Sequence, residues 1–66
     1  MEKIYRKWQV VVGEPKENKI ADYFSEEYAV LRCKQFRNLG AKANVYEIQM
    51  NFEKNTKKII PLLEEM

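Results

Sequence analysis

Apolar side chains in residues 25–40 recur at the spacing of an α-helix. With successive residues turned by about 100°, Ala29, Cys33 and Phe36 lie close to one line, so this side is expected to face a core. Leu31 projects to the opposite side among polar residues, and we expect it to be exposed. The pattern therefore predicts one amphipathic helix with a single buried face.

Both ends of this helix are also marked. Ser25 can accept a hydrogen bond from a free amide of the first turn, and two glutamates follow where the helix dipole favours negative charge. Arg37 lies in the last turn, and Gly40 supplies the left-handed residue that commonly ends a helix. We therefore predict a helix that spans residues 25–40.

Residues 4–12 are rich in aromatic and β-branched types and predict a β-strand. Its apolar side carries Trp8, Val10 and Val12. Turn-forming residues follow in the segment 13–18. A return strand at residues 19–24 is expected to complete a β-hairpin that leads into the helix.

A third strand is predicted at residues 42–52, after the helix. Ala43 and Val45 point to one side of it. The other side carries Tyr46, Ile48, Met50 and Phe52. Because both sides are partly apolar, this strand is expected to be central in the sheet or to be covered on its second face.

The structure predicted for the last residues depends on Pro61. Proline costs roughly 3 kcal/mol inside a helix but is tolerated at the first helical position. We expect residues 56–60 to be extended or irregular and residues 61–66 to form a short helical turn. The alternative is a fourth strand at 56–60, paired with residues 49–53. In either case the fold class is α+β, a small three- to four-stranded sheet with one main helix on one face and a short helical or extended tail.

A chain of 66 residues predicts one compact α+β domain over residues 1–66, near the lower size limit for a stable core, since it buries only ~60% of its unfolded surface. Its single cysteine cannot form an internal disulfide, and without histidine an ordinary zinc site is not expected. Stability must therefore come from packing of the apolar and aromatic side chains, with or without a second copy of the chain.

Twelve basic and ten acidic side chains give a formal charge of +2 and are spread evenly along the chain. This balance alone does not indicate nucleic acid or a membrane as a partner. The first residues lack the apolar region of a signal peptide, and no segment approaches the length that spans a bilayer. We expect a cytoplasmic protein.

No pattern typical of catalysis or of a cofactor site is found. Nucleophilic catalysis needs a base beside the nucleophile, and the chain has no histidine to serve Ser25 or Cys33. Cys33 lies on the apolar side of the helix and is expected to be a slowly reacting core residue. We therefore expect a protein that is not an enzyme and that uses no cofactor, metal or small-molecule substrate.

Protein binding is the leading hypothesis, because one helix cannot cover all the apolar positions. The residues predicted to contact a partner are Leu31, Tyr46, Ile48, Met50 and Phe52. Two explanations are open for the strand positions: the tail folds over the second face of the sheet, or another protein or a second copy covers it. We predict a small interaction or regulatory module, of the kind that phages and other mobile elements encode, acting on a partner or as a homodimer.

Nucleic-acid binding is the alternative, because basic residues are numerous and several aromatic side chains could stack on bases. The residues predicted for it are Arg6, Lys7, Lys16 and Lys19. A strand with Trp8, a hairpin at 15–18 and Phe24 before the Ser25 helix start resemble the short arm-type DNA-binding domains of tyrosine recombinases. That resemblance implies DNA binding, but those domains place three strands before the helix and only two fit here.

Overall fold

The computed structural model describes residues 3–13 and 19–66 and has an α+β fold. Its elements in chain order are β1 (Ile4–Val12), β2 (Lys19–Tyr23), α1 (Glu26–Asn38), β3 (Ala43–Asn51) and β4 (Thr56–Pro61). The strands form one antiparallel sheet in the order β2-β1-β3-β4, and α1 packs over β1 and β3 and reaches β2. The predicted fold class is confirmed.

The core lies between α1 and the middle of the sheet. Val10 of β1 is opposite Val45 of β3, and the buried side of the helix rests on this pair through Ala29 and Cys33. All four side chains are at most 1% exposed, and Ala43 completes the buried cluster. The predicted helix face and the core position of Cys33 are therefore confirmed, and β3 is central in the sheet.

Both predicted ends of the helix are confirmed. The Ser25 hydroxyl oxygen accepts a hydrogen bond from the Tyr28 amide at 3.3 Å. At the other end Gly40 has a φ of +87°, and its amide donates to the Arg37 carbonyl at 3.0 Å. The Ala41 amide donates to the Phe36 carbonyl at 3.1 Å, so the helix ends in a Schellman motif.

The fourth strand is the alternative that the sequence left open. Residues 56–61 pair antiparallel with 46–51. Asn55 takes a left-handed φ of 52° in the turn, and the Asn51 side-chain oxygen accepts hydrogen bonds from the amides of Glu53 and Lys54 at 3.0 and 3.1 Å. This turn chemistry lets β4 return directly alongside β3.

The expected helical turn at 61–66 is not formed, because Pro61 ends a strand instead of starting a helix. The Leu62 amide donates to the Val45 carbonyl at 3.0 Å, which continues the direction of β4. Leu62 and Leu63 then pack against the core on the helix side. Of the two explanations left open for the second face of the sheet, covering by the tail leucines is therefore not the one that the structure shows.

The predicted hairpin loop lies outside the described residues except for Gly13, whose amide donates to the Lys42 carbonyl at 2.9 Å. In the part of the chain that the structure describes, two strands precede the helix and two follow it, which differs from the three-strand arrangement of the recombinase domains. In the described ranges no helix has the length and apolar character needed to cross a bilayer.

Candidate functional site

The face of the sheet opposite α1, here called the helix-free face, carries a group of neighbouring apolar side chains. Alternation along β3 places Tyr46, Ile48 and Met50 on this face, since Val45 points to the helix side. Cross-strand pairing adds Tyr5, opposite Met50, and Ile59, opposite Ile48. The apolar patch consists of Tyr5, Tyr46, Ile48, Met50, Phe52 and Ile59.

Most of the apolar patch is accessible to solvent. Phe52 is 69% exposed, Ile59 58% and Tyr5 41%, whereas Ile48 is only 2% exposed and forms the floor. Phe52 follows β3 in the turn, and its ring centroid lies 6.4 Å from that of Tyr5. Within residues 3–13 and 19–66 no helix or second sheet packs on this face.

Tyr46 marks the boundary between the apolar patch and the end of the chain. It is half-buried, and its hydroxyl donates to the Glu65 carboxylate at 3.2 Å. Burial raises the pKa of the Tyr46 hydroxyl, and the neighbouring negative charge of Glu65 raises it further. Tyr46 therefore remains a neutral hydrogen-bond donor at physiological pH.

Leu31 lies on another surface. It is 50% exposed, as expected, and lines a shallow groove on the outer side of α1. That groove is lined by Glu26, Glu27, Val30, Leu31 and Lys34. Since α1 covers one face of the sheet and Leu31 is turned away from it, the structure does not bring Leu31 together with the four predicted strand residues.

The basic residues predicted for nucleic-acid binding do not share one surface in the described part of the chain. Arg6 and Lys7 are consecutive on β1, so their side chains point to opposite faces. Lys7 lies on the helix-free face and contacts the Asp22 carboxylate at 3.4 Å. The side chains of Lys16 and Lys19 are outside the described residues.

The chemistry available to Cys33 is limited by its position. Its thiol is buried, and burial raises the thiol pKa, although the nearby positive charge of Arg37 acts in the opposite direction. Among the described residues no group of three or more potential ligands could hold a metal ion. The main candidate site is therefore the apolar patch.

Sequence reasoning missed two members of this patch. Tyr5 lies on the same face of β1 as Lys7, and Ile59 pairs with Ile48 only if β4 forms. The alternation in residues 4–12 was a usable signal for Tyr5. No local signal decided whether Ile59 or Ile60 would share a face with Ile48, because that depends on the register of β3 and β4.

Comparison of the chain with models of known protein families, with curated proteins and with solved structures found no match.

Proposed function

We propose that this protein is a small non-catalytic interaction module, whose helix-free face binds a partner protein or a second copy of the chain. The observation that supports this most directly is the exposure of Phe52, Ile59 and Tyr5 on a face that no element covers among the described residues, with Met50 and Ile48 of β3 between Tyr5 and Ile59. Contiguous apolar groups of this kind usually mark an interaction surface.

The distribution of apolar side chains supports the same proposal. In the described residues six hydrophobic side chains are buried, whereas eleven large ones are exposed. Each Å² of apolar surface removed from water contributes about 25 cal/mol, so a partner that covers the patch would add to the stabilisation that this small core provides. Ile48 supplies a rigid floor for such a contact and is not itself a contact residue.

The surroundings of the apolar patch resemble the rim of a protein interface. Lys7 and Asp22 form an ion pair on the helix-free face, and Lys57 lies opposite Met50. Interfaces commonly combine an apolar and aromatic centre with a polar rim. Leu31, on the outer side of α1, is proposed as a separate and smaller contact.

The proposal includes a cytoplasmic location and a regulatory role of the kind that mobile elements encode. The single cysteine is free and buried, which suits a reducing compartment. The small size of the chain is the support for a regulator that acts by occupying a partner's surface.

Size-exclusion chromatography with light scattering tests self-association. If the partner is a second copy, the wild-type chain elutes at twice its monomer mass, and both Ile59→Glu and Met50→Glu shift it to the monomer. Phe24→Glu is the matched control, because Phe24 is 75% exposed and lies outside the apolar patch. Ile59→Glu is the more informative variant because Ile59 is already exposed, so folding is retained.

If the wild-type chain is monomeric, cross-linking and isolation of a single partner that binds the wild type and Phe24→Glu, but not Ile59→Glu, supports the proposal. Leu31→Glu then shows whether the outer side of α1 takes part. A chain that is monomeric and captures no partner in an Ile59-dependent manner would contradict the proposal.

A further inference from the structure

The apolar character of the helix-free face extends beyond the apolar patch. Val11 of β1 points to this face, because its neighbour Val10 points into the core, and Ile20 of β2 lies opposite Val11 and is 58% exposed. At the other edge of the sheet, Pro61 is exposed opposite Tyr46. Apolar side chains therefore occupy all four strands and run from the turn after β3 to the last residues of β1.

The area of the helix-free face reaches the size that a stable dimer needs. β1 and β3 have nine residues each, β2 has five and β4 has six. At about 3.3 Å per residue and about 4.8 Å between strands, the face covers about 460 Å² before the relief of its side chains is added. Two copies packed face to face would bury about 1,000 Å² or more, the level expected of a specific interface.

Charges of both signs lie on the helix-free face, as contact between two identical surfaces requires. A two-fold interface places the same surface on both sides, so a face with an excess of one sign would repel its own copy. Lys7 and Asp22 already contact each other at 3.4 Å. Lys57 of β4 and Glu65 of the tail add one charge of each sign, so these four side chains sum to zero.

The two charges on the β4 side lie at opposite ends of that strand. Lys57 is opposite Met50, near the first end. Glu65 is near the other end, since its carboxylate accepts the Tyr46 hydroxyl at 3.2 Å. Met50 and Tyr46 are separated by about 13 Å along β3, with Ile48 midway between them. The positive and the negative charge are therefore placed about equally far from the level of Ile48.

We propose that the helix-free face binds a second copy of this chain, related to the first by a two-fold axis that crosses the strands at the level of Ile48. This inference rests on the proposed function, because it names the partner of the same face. The two sheets pack face to face with their strands roughly antiparallel, and the helices lie on the outside.

The proposed axis creates each contact twice. It brings Lys57 of each copy to Glu65 of the other, and the Glu65 carboxylate can accept the lysine as well as the Tyr46 hydroxyl. It also brings Met50 of each copy to Tyr46 of the other, which is a favourable contact of sulfur with an aromatic ring. A second copy is favoured over another protein because this one face supplies both members of each pair.

Charge reversal tests the proposed axis. Lys57→Glu would set two glutamates against each other at both ends of the interface, and Glu65→Lys would do the same with two lysines. Each variant should raise the dissociation constant of the dimer about tenfold at about 50 mM salt, measured by sedimentation equilibrium. Lys34→Glu, on the outer side of α1, is the control matched in charge to Lys57→Glu and should change the constant less than about twofold.

Restoration of the dimer is the decisive result. The double variant Lys57→Glu/Glu65→Lys recreates opposite charges at both ends, and an equimolar mixture of the two single variants recreates them between unlike chains. Both should dimerise within about threefold of the wild type. Lys57 and Glu65 are exposed, so folding is retained in all of these variants.

A wild-type chain that is monomeric at about 100 µM would overturn this inference. The proposed function would survive that result if a different protein bound in an Ile59-dependent manner. A dimer that is unaffected by both single reversals, or that is restored neither by the double variant nor by the mixture, would also overturn the inference.

Discussion

Arg37 connects the helix, the third strand and the end of the chain. Its guanidinium donates to the Ala43 carbonyl at 2.7 Å, to the Asn44 side-chain oxygen at 3.2 Å and to the Glu64 carbonyl at 2.8 Å. Asn44 also accepts the Met66 amide at 2.8 Å. The sequence placed Arg37 in the last helical turn but gave no indication of these contacts, because its partners come from distant segments.

We expect Arg37→Lys to lower the free energy of unfolding by about 1–2 kcal/mol, because one ammonium group cannot reproduce a planar fork that reaches three oxygens. Urea unfolding measures this loss, and faster hydrogen exchange at the Leu62 amide would show that the tail has loosened. Arg6→Lys is the control and should stay within about 0.5 kcal/mol of the wild type. Equal effects of the two changes would contradict the role given to Arg37.

Cys33 and Tyr46 predict a loss of stability at alkaline pH. Burial raises the pKa of Cys33 above its ordinary value of 9.0, and burial together with Glu65 raises that of Tyr46 above 10.0. The folded chain therefore holds these two protons more tightly than the unfolded chain. The free energy of unfolding should be unaffected by these groups at neutral pH, fall as pH rises above 9, and fall more steeply above 10.

Urea unfolding from pH 7 to about pH 10.5 measures this dependence. Cys33→Ala should remove the part that begins near pH 9, and Tyr46→Phe the part that begins near pH 10. The comparison is of slopes against pH, so a general loss of stability in either variant does not obscure it. A stability that rises across this interval would contradict the direction of both pKa shifts.

At the scale of elements, local signals defined the helix and both strands of the hairpin, whereas the last strand depended on a distant partner. The caps at Ser25 and Gly40 belong to the helix itself, so the sequence predicts them directly. Pro61 was expected to start a helix, because proline is tolerated at the first helical position. The pairing of β4 with β3 decided otherwise, since proline is accepted at a strand end on the edge of a sheet.

Gly40→Ala should destabilise the protein by about 1 kcal/mol. A Cβ at this position would meet no atom within 4 Å, so the cost comes only from the left-handed φ of +87°. Gly40→Asn should cost less, because asparagine adopts this conformation more readily than alanine. Urea unfolding of the two variants checks the order, and an alanine variant as stable as the wild type would show that the helix can end in another way.

At the scale of the whole molecule, the sequence predicted which strand positions share a face but not which surfaces they would form together. Tyr46, Ile48 and Met50 are on one face, as alternation required, whereas Leu31 is across the molecule from them. The burial of Ile48 depends on the register that places Ile59 opposite it.

The position of Pro61 limits how this protein can associate. Because the Leu62 nitrogen faces Val45, the neighbouring Pro61 nitrogen faces away from the sheet, at the open margin of β4. A strand that approached this edge would find no N–H group to bind at Pro61, and it would meet Lys57 and Lys58 nearer the start of β4. Edge-to-edge pairing of β4 with another chain, which could extend into fibres, is therefore disfavoured. Association through the faces of the sheet is not affected.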